Sequence, residues 1–126
     1  MKKNTEEEQQ FMVETKVLTA DEKLEIKKLP DKEKLKNILE FLKHVIGTTK
    51  TPWVSWALIE KNYESLIGTT RKVEHDLWKI MEPVTYSLAD DDPKAENPII
   101  YEYKMGNAYY YTPVKMIRLY CQSEEL

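Results

Sequence analysis

Two groups of residues in this chain have side chains of types and spacing suited to recognition chemistry. The first is Thr69-Thr70-Arg71-Lys72, followed by His75 and Lys79. A threonine hydroxyl where a helix begins can donate to a phosphate, beside free backbone amides and the positive end of the helix dipole. Arg71 carries the planar fork that matches O6 and N7 of guanine, whereas Lys72 and Lys79 are compact charges better suited to phosphate. His75 can donate to a base or a phosphate. The second group is Lys104, Asn107 and Tyr109, with Lys115 nearby, in a segment that holds Tyr101, Tyr103, Tyr109, Tyr110, Tyr111 and Tyr120, six of the eight tyrosines. A tyrosine face can stack on a base while lysine and asparagine supply polar contacts. Both groups also have an ordinary structural use, since basic side chains solvate surface helices and tyrosine stripes stabilise cross-strand pairs.

Other chemistries lack their parts. One cysteine, Cys121, forbids an intrachain disulfide and a multi-Cys zinc site, and the two histidines, His44 and His75, do not make up the deficit. Asp90-Asp91-Asp92 precedes Pro93 with no ligand-like spacing and reads as a solvated loop, not a metal site. A catalytic tyrosine would need an activating cluster that is missing. There is no phosphate loop, dinucleotide glycine pattern or nucleophile elbow in a chain with three glycines. The expectation is a protein that is not an enzyme and uses neither cofactor nor metal.

With 126 residues, a net charge of −3 and 41% hydrophobic residues, one ordinary globular domain is expected. The overall charge announces no polyanionic partner, so such a partner must be met by a local patch. Much of the acidity sits in Asp90-Asp91-Asp92 and Glu124-Glu125. No apolar run is long enough to span a membrane, and Met1-Lys2-Lys3 is not followed by the apolar core of a signal peptide. A soluble, cytoplasmic protein in a reducing compartment is expected.

The elements that must position the two groups follow from periodicity. Residues 1–18 read as a charged arm, and Thr19-Ala20-Asp21-Glu22 has capping-box spacing for a short helix reaching Leu29. Leu35, Ile38, Leu39, Leu42, Val45 and Ile46 fall on one helical face, with Asp31 as the expected N-cap and Gly47 as the expected left-handed stop. His44, beside that stripe, is expected to be partly buried. A second helix is capped by Ser55, stapled by Val54 on Ile59, and buries Leu58, Ile59, Tyr63 and Leu66 before breaking at Gly68. A third starts at Thr69 or Thr70, buries Val73, Leu77, Ile80 and Met81, and stops at Pro83. From Val84 the period becomes two, with Val84, Tyr86 and Leu88 on one face of a strand. Ile99 to Lys104 and Tyr109 to Thr112 form a β-hairpin around Gly106-Asn107, and Val114 to Tyr120 is either a strand or a short helix. Trp53 or Trp56 should pack on the first long helix, while Trp78 should be exposed as a contact surface.

Val54-Ser55-Trp56-Ala57-Leu58-Ile59 opening one helix, Gly68-Thr69-Thr70-Arg71-Lys72-Val73 joining it to the next, and the Gly106-Asn107 hairpin together resemble a winged helix-turn-helix domain. The resemblance covers residues 31 to about 112. It implies an α+β, mainly helical fold with a three-helix core and a hairpin wing. It divides the chain into an arm or short helix at 1–30, a winged-helix domain at 31–120 and an acidic tail at 121–126. It further implies double-stranded DNA as partner, the helix at about 70–81 in the major groove, the wing against the backbone or minor groove, and a homodimer. The acidic loop at 89–98 competes with the hairpin as the wing, and Glu74 and Asp76 give the third helix a mixed face. The expected function is a sequence-specific transcriptional regulator. The alternatives are a winged-helix adaptor or inhibitor that binds protein, or an accessory protein of a replication or partition complex.

Overall fold

The structure, a computed structural model, describes residues 17–68, 73–88 and 95–116. Its fold is α+β: the described residues hold five α-helices of five residues or more, a further helical turn from Val114, and a four-stranded sheet. Helix α1 (Ala20–Lys27) opens with the anticipated capping box: Thr19 Oγ1 accepts from the Glu22 amide at 3.1 Å, and Glu22 Oε1 accepts from the Thr19 amide at 2.9 Å. These bonds occupy amides that a helix start otherwise leaves open. Leu18, just before the cap, is buried.

Helix α2 (Asp31–Thr49) buries Ile38, Leu42, Val45 and Ile46, the inward stripe read from the sequence, with Leu35, Leu39 and Phe41 packed alongside. Its ends differ from the expectation. Pro30, not Asp31, occupies the N-cap position, and Asp31 with Glu33 instead place negative charge in the first turn, where the dipole favours it. The helix passes through exposed Gly47 and ends when Lys50 turns left-handed, at φ 61. The Lys50 amide still reaches the Ile46 carbonyl at 2.9 Å, and the Thr49 hydroxyl donates to Val45 O at 2.8 Å, so local bonds carry the helix past its glycine. His44 is exposed, contrary to the packing role expected of it.

After β1 (Val54–Ser55), the helix expected to run to Gly68 is divided into α3 (Trp56–Lys61) and α4 (Tyr63–Ile67). Ser55 Oγ accepts from the Leu58 amide at 3.2 Å, the cap expected of it. Asn62 makes the break. Buried at φ −104 and ψ 22, it donates through Nδ2 to Leu58 O at 2.9 Å, while the Ser65 hydroxyl donates to Asn62 O at 3.1 Å. Side-chain bonds to nearby backbone thus replace helical ones. The buried pairs Leu58-Ile59 and Leu66-Ile67 keep helical spacing across this break, which is why periodicity alone passes over it.

Helix α5 (Val73–Met81) buries Leu77, Ile80 and Met81, then tightens into a 3-10 turn (Glu82–Val84) containing Pro83. That turn resets the phase of β2 (Thr85–Ser87). Thr85 is the buried residue and its hydroxyl donates to Met81 O at 2.7 Å, whereas Leu88, expected to face inward, is half exposed. Strands β3 (Ile100–Met105) and β4 (Ala108–Pro113) form the hairpin, and the chain turns helical again at Val114.

The sheet runs β1-β4-β3-β2. β1 pairs antiparallel with β4, joining Val54 to Tyr111; β4 pairs antiparallel with β3; and β2 adds to β3 in parallel. Val54, Ile100, Glu102 and Tyr111 form the buried face that meets the helices. Alternation sends Tyr101, Tyr103 and Tyr110 to the other face, where Trp53 lies 5.2 Å from Tyr103 and Tyr103 6.3 Å from Tyr110, between ring centroids. Tyr86 meets Tyr101 edge-on at 6.0 Å on neighbouring strands.

Candidate nucleic-acid interface

Helix α5 reaches its place through the turn at Gly68. Gly68 is buried and left-handed at φ 74, and its amide donates to Glu64 O at 3.1 Å. A methyl at Gly68 would overlap the backbone nitrogen and Cα of Lys27 and the carbonyl oxygen of Lys23. Helix α1 therefore sits directly on the turn that leads to α5. Lys23 adds an ion pair to Glu64 of α4 at 3.2 Å, and Asn37 of α2 donates to Leu66 O at 3.2 Å, so both preceding helices brace the turn. Thr69, Thr70, Arg71 and Lys72, four of the nominated residues, lie outside the described residues.

Within α5 the inward set Leu77, Ile80 and Met81 leaves His75 and Lys79, four residues apart, exposed. Asp76 is half-buried beside them. Trp78 does not offer the exposed contact surface expected of it. It is partly buried, meets Trp56 edge-on at 6.5 Å, and lies 6.4 Å from Tyr111; Trp56 lies 5.6 Å from Tyr111. These three rings pack mutually, joining α3, α5 and β4. Trp56 therefore finds aromatic partners on α5 and the sheet, and Trp53 finds Tyr103.

The Tyr111 hydroxyl donates to Glu102 Oε2 at 2.6 Å, across directly paired positions of the hairpin. Burial pushes the Tyr111 phenol well above its ordinary pKa, and the accepting Glu102 carboxylate raises it further by hydrogen bond and charge. Tyr111 is thus held protonated as a donor to a carboxylate that would otherwise be buried without this bond. This contact was not anticipated from sequence. Its signal was a lone acidic residue alternating with aromatic ones in a strand.

The second nominated group comes together at the hairpin tip. Gly106 is at φ 64, and Asn107, its partner in the two-residue turn, has an ordinary negative φ; positive φ at the first central position alone is the sign pattern of a type II′ turn. Lys104 and Tyr109 are paired across the strands, with Lys104 Nζ 5.6 Å from the centre of the Tyr109 ring. Lys104, Asn107 and Tyr109 are all exposed. A cation, an amide and an aromatic face on one ribbon can meet phosphate oxygens and sugar or base faces.

The candidate site thus consists of an exposed helical pair and an exposed hairpin tip. Among the described residues, no group of three or more His, Cys, Asp or Glu side chains is placed to hold a metal ion, and no helix is long and apolar enough to cross a membrane. Comparison with protein-family models, curated proteins and solved structures gives no match to this chain.

Proposed function

We propose that this protein is a sequence-specific double-stranded DNA-binding protein of the winged helix-turn-helix type, acting as a dimeric transcriptional regulator. The observation that carries this reading is connectivity. A long helix is followed by a two-residue strand, then two helical segments, a turn and α5, and finally a hairpin whose returning strand pairs with that early short strand. This order of elements, with the early short strand closing on the hairpin, supports a winged domain. In it α5 is the reading helix and the β3-β4 hairpin is the wing, so His75 faces the groove and Lys79 a phosphate beside it, while Lys104, Asn107 and Tyr109 meet the backbone. Arg71 and Lys72, leading into α5, supply a guanine contact and a phosphate contact, and Thr69 and Thr70 donate to phosphate.

The reading is tested by selecting from a randomised duplex library at two salt concentrations with the full chain. Enrichment of two spaced half-sites, with binding that weakens as salt rises, is expected. Arg71→Ala should cost about 1–3 kcal/mol on the selected site and relax its specificity. Absence of duplex binding even at low salt would overturn the proposal.

A second reading, a winged domain that binds protein, draws on the outer sheet face, where Trp53, Tyr86, Tyr101, Tyr103 and Tyr110 cluster with exposed Met105 at its end. Recovery of one stoichiometric protein partner, free of nucleic acid, would favour it.

A further inference from the structure

We propose that the cleft where α1, α2 and α5 meet binds a small phosphorylated polyol. Lys27 enters it from the last turn of α1, Asp31 and Lys34 from the start of α2, and Asp76 and Lys79 from α5; Ile67 and Ile80 supply apolar walls. The cavity measures about 210 Å³, which suits a compact ligand, since sites for drug-sized molecules run from about 300 Å³ upward.

The five charges come from three separate helices, yet among the described residues no ion pair joins any of them. One turn earlier on α1 the contrast is plain, because Lys23 does close onto Glu64 at 3.2 Å. Charges placed only to fasten the helices together would pair in the same way. Here three lysines and two aspartates instead line a shared volume, with Lys34 and Asp76 half-buried and Lys27, Asp31 and Lys79 exposed. Lysine is a point charge well matched to a phosphate dianion, and three lysines around one cleft raise the local potential for it. Asp31 and Asp76, as acceptors only, call for hydroxyl donors on the same ligand. The Ile67 and Ile80 side chains, both buried, suit the carbon face of a sugar ring. Lys34 and Asp76 are half-buried, so their contacts are less weakened by water than those of open surface charges.

The test is a nuclear magnetic resonance titration of the full chain, labelled with ¹⁵N, against ribose 5-phosphate at low salt. Saturable shifts at the amides of Lys27, Asp31, Lys34, Asp76 and Lys79 are expected, with a dissociation constant of about 1 mM or tighter. Lys34→Gln should weaken binding roughly tenfold, about 1.4 kcal/mol, while Lys36→Gln, the same charge change at an exposed position outside the cleft, should leave it unchanged. The dispersed spectrum of each variant reports that it is folded. No saturable shift, equal weakening by both variants, or equal binding of ribose without phosphate would each overturn the proposal. No duplex is present in this titration, so its outcome is independent of the DNA-binding reading.

Discussion

The hydrogen bond between Tyr111 and Glu102 is where one pair of side chains has the most consequence. It ties Tyr111, whose ring packs with Trp56 and Trp78, to the facing strand of the hairpin. Tyr111→Phe removes the donor and leaves a buried carboxylate short of a partner. A bond to a charged group contributes about 1.5–3 kcal/mol, so urea unfolding at neutral pH should show a loss of that order. The pH dependence follows from the raised pKa of the folded phenol. An unfolded tyrosine ionises near pH 10, whereas folded Tyr111 holds its proton to higher pH, so the contribution is fully present below about pH 10 and declines as pH rises above it. Wild type should therefore lose stability above pH 10 more steeply than Tyr111→Phe. Comparing the two cancels the titration of the remaining tyrosines and lysines, and parallel curves would show that the phenol is not held protonated.

Among the elements, α1 buries none of its own residues, so its backbone contact with Gly68 matters most to test. Its backbone lies against Gly68, which the left-handed turn into α5 also requires. Gly68→Ala combines backbone strain of about 1–2 kcal/mol with direct overlap on Lys27. The expected result is displacement of α1, read as amide exchange in residues 20–27 that accelerates far more than exchange at Ile38 to Ile46. Retained protection in α1 would mean that Lys23 to Glu64 and the burial of Leu18 hold it unaided. Legibility from sequence divides along the same line. The capping box, the α2 stripe, the Ser55 cap and the hairpin turn each arise from residues within a few positions of one another. The Asn62 break depends on bonds that compete with a helix whose apolar spacing continues undisturbed, and the phase of β2 depends on Thr85 finding the Met81 carbonyl.

For the whole molecule, an overall charge of −3 means that any binding to a polyanion must come from a few cations presented on one side. Lys79 on α5 and Lys104 at the hairpin tip are both exposed. If each meets one phosphate, Lys79→Ala and Lys104→Ala should each lower the slope of log affinity against log salt by about 1, equally on every duplex. An unchanged slope for Lys104→Ala would take the hairpin out of the interface and leave α5 as the contact.

What the amino-acid order determined by itself was local: helix and strand periods, caps, the Gly106-Asn107 turn, and the succession of elements that resembles a winged domain. Those features rest on near neighbours along the chain, whose geometry the backbone supplies. Tertiary structure alone decided that β1 pairs with β4, that β2 joins β3 in parallel, that Trp78 packs inward against Trp56 and Tyr111, and that Lys27, Lys34 and Lys79 share a cleft. Each of these brings together residues far apart in the chain. Their meeting is set by how the apolar faces close on one another, a condition that no single segment carries.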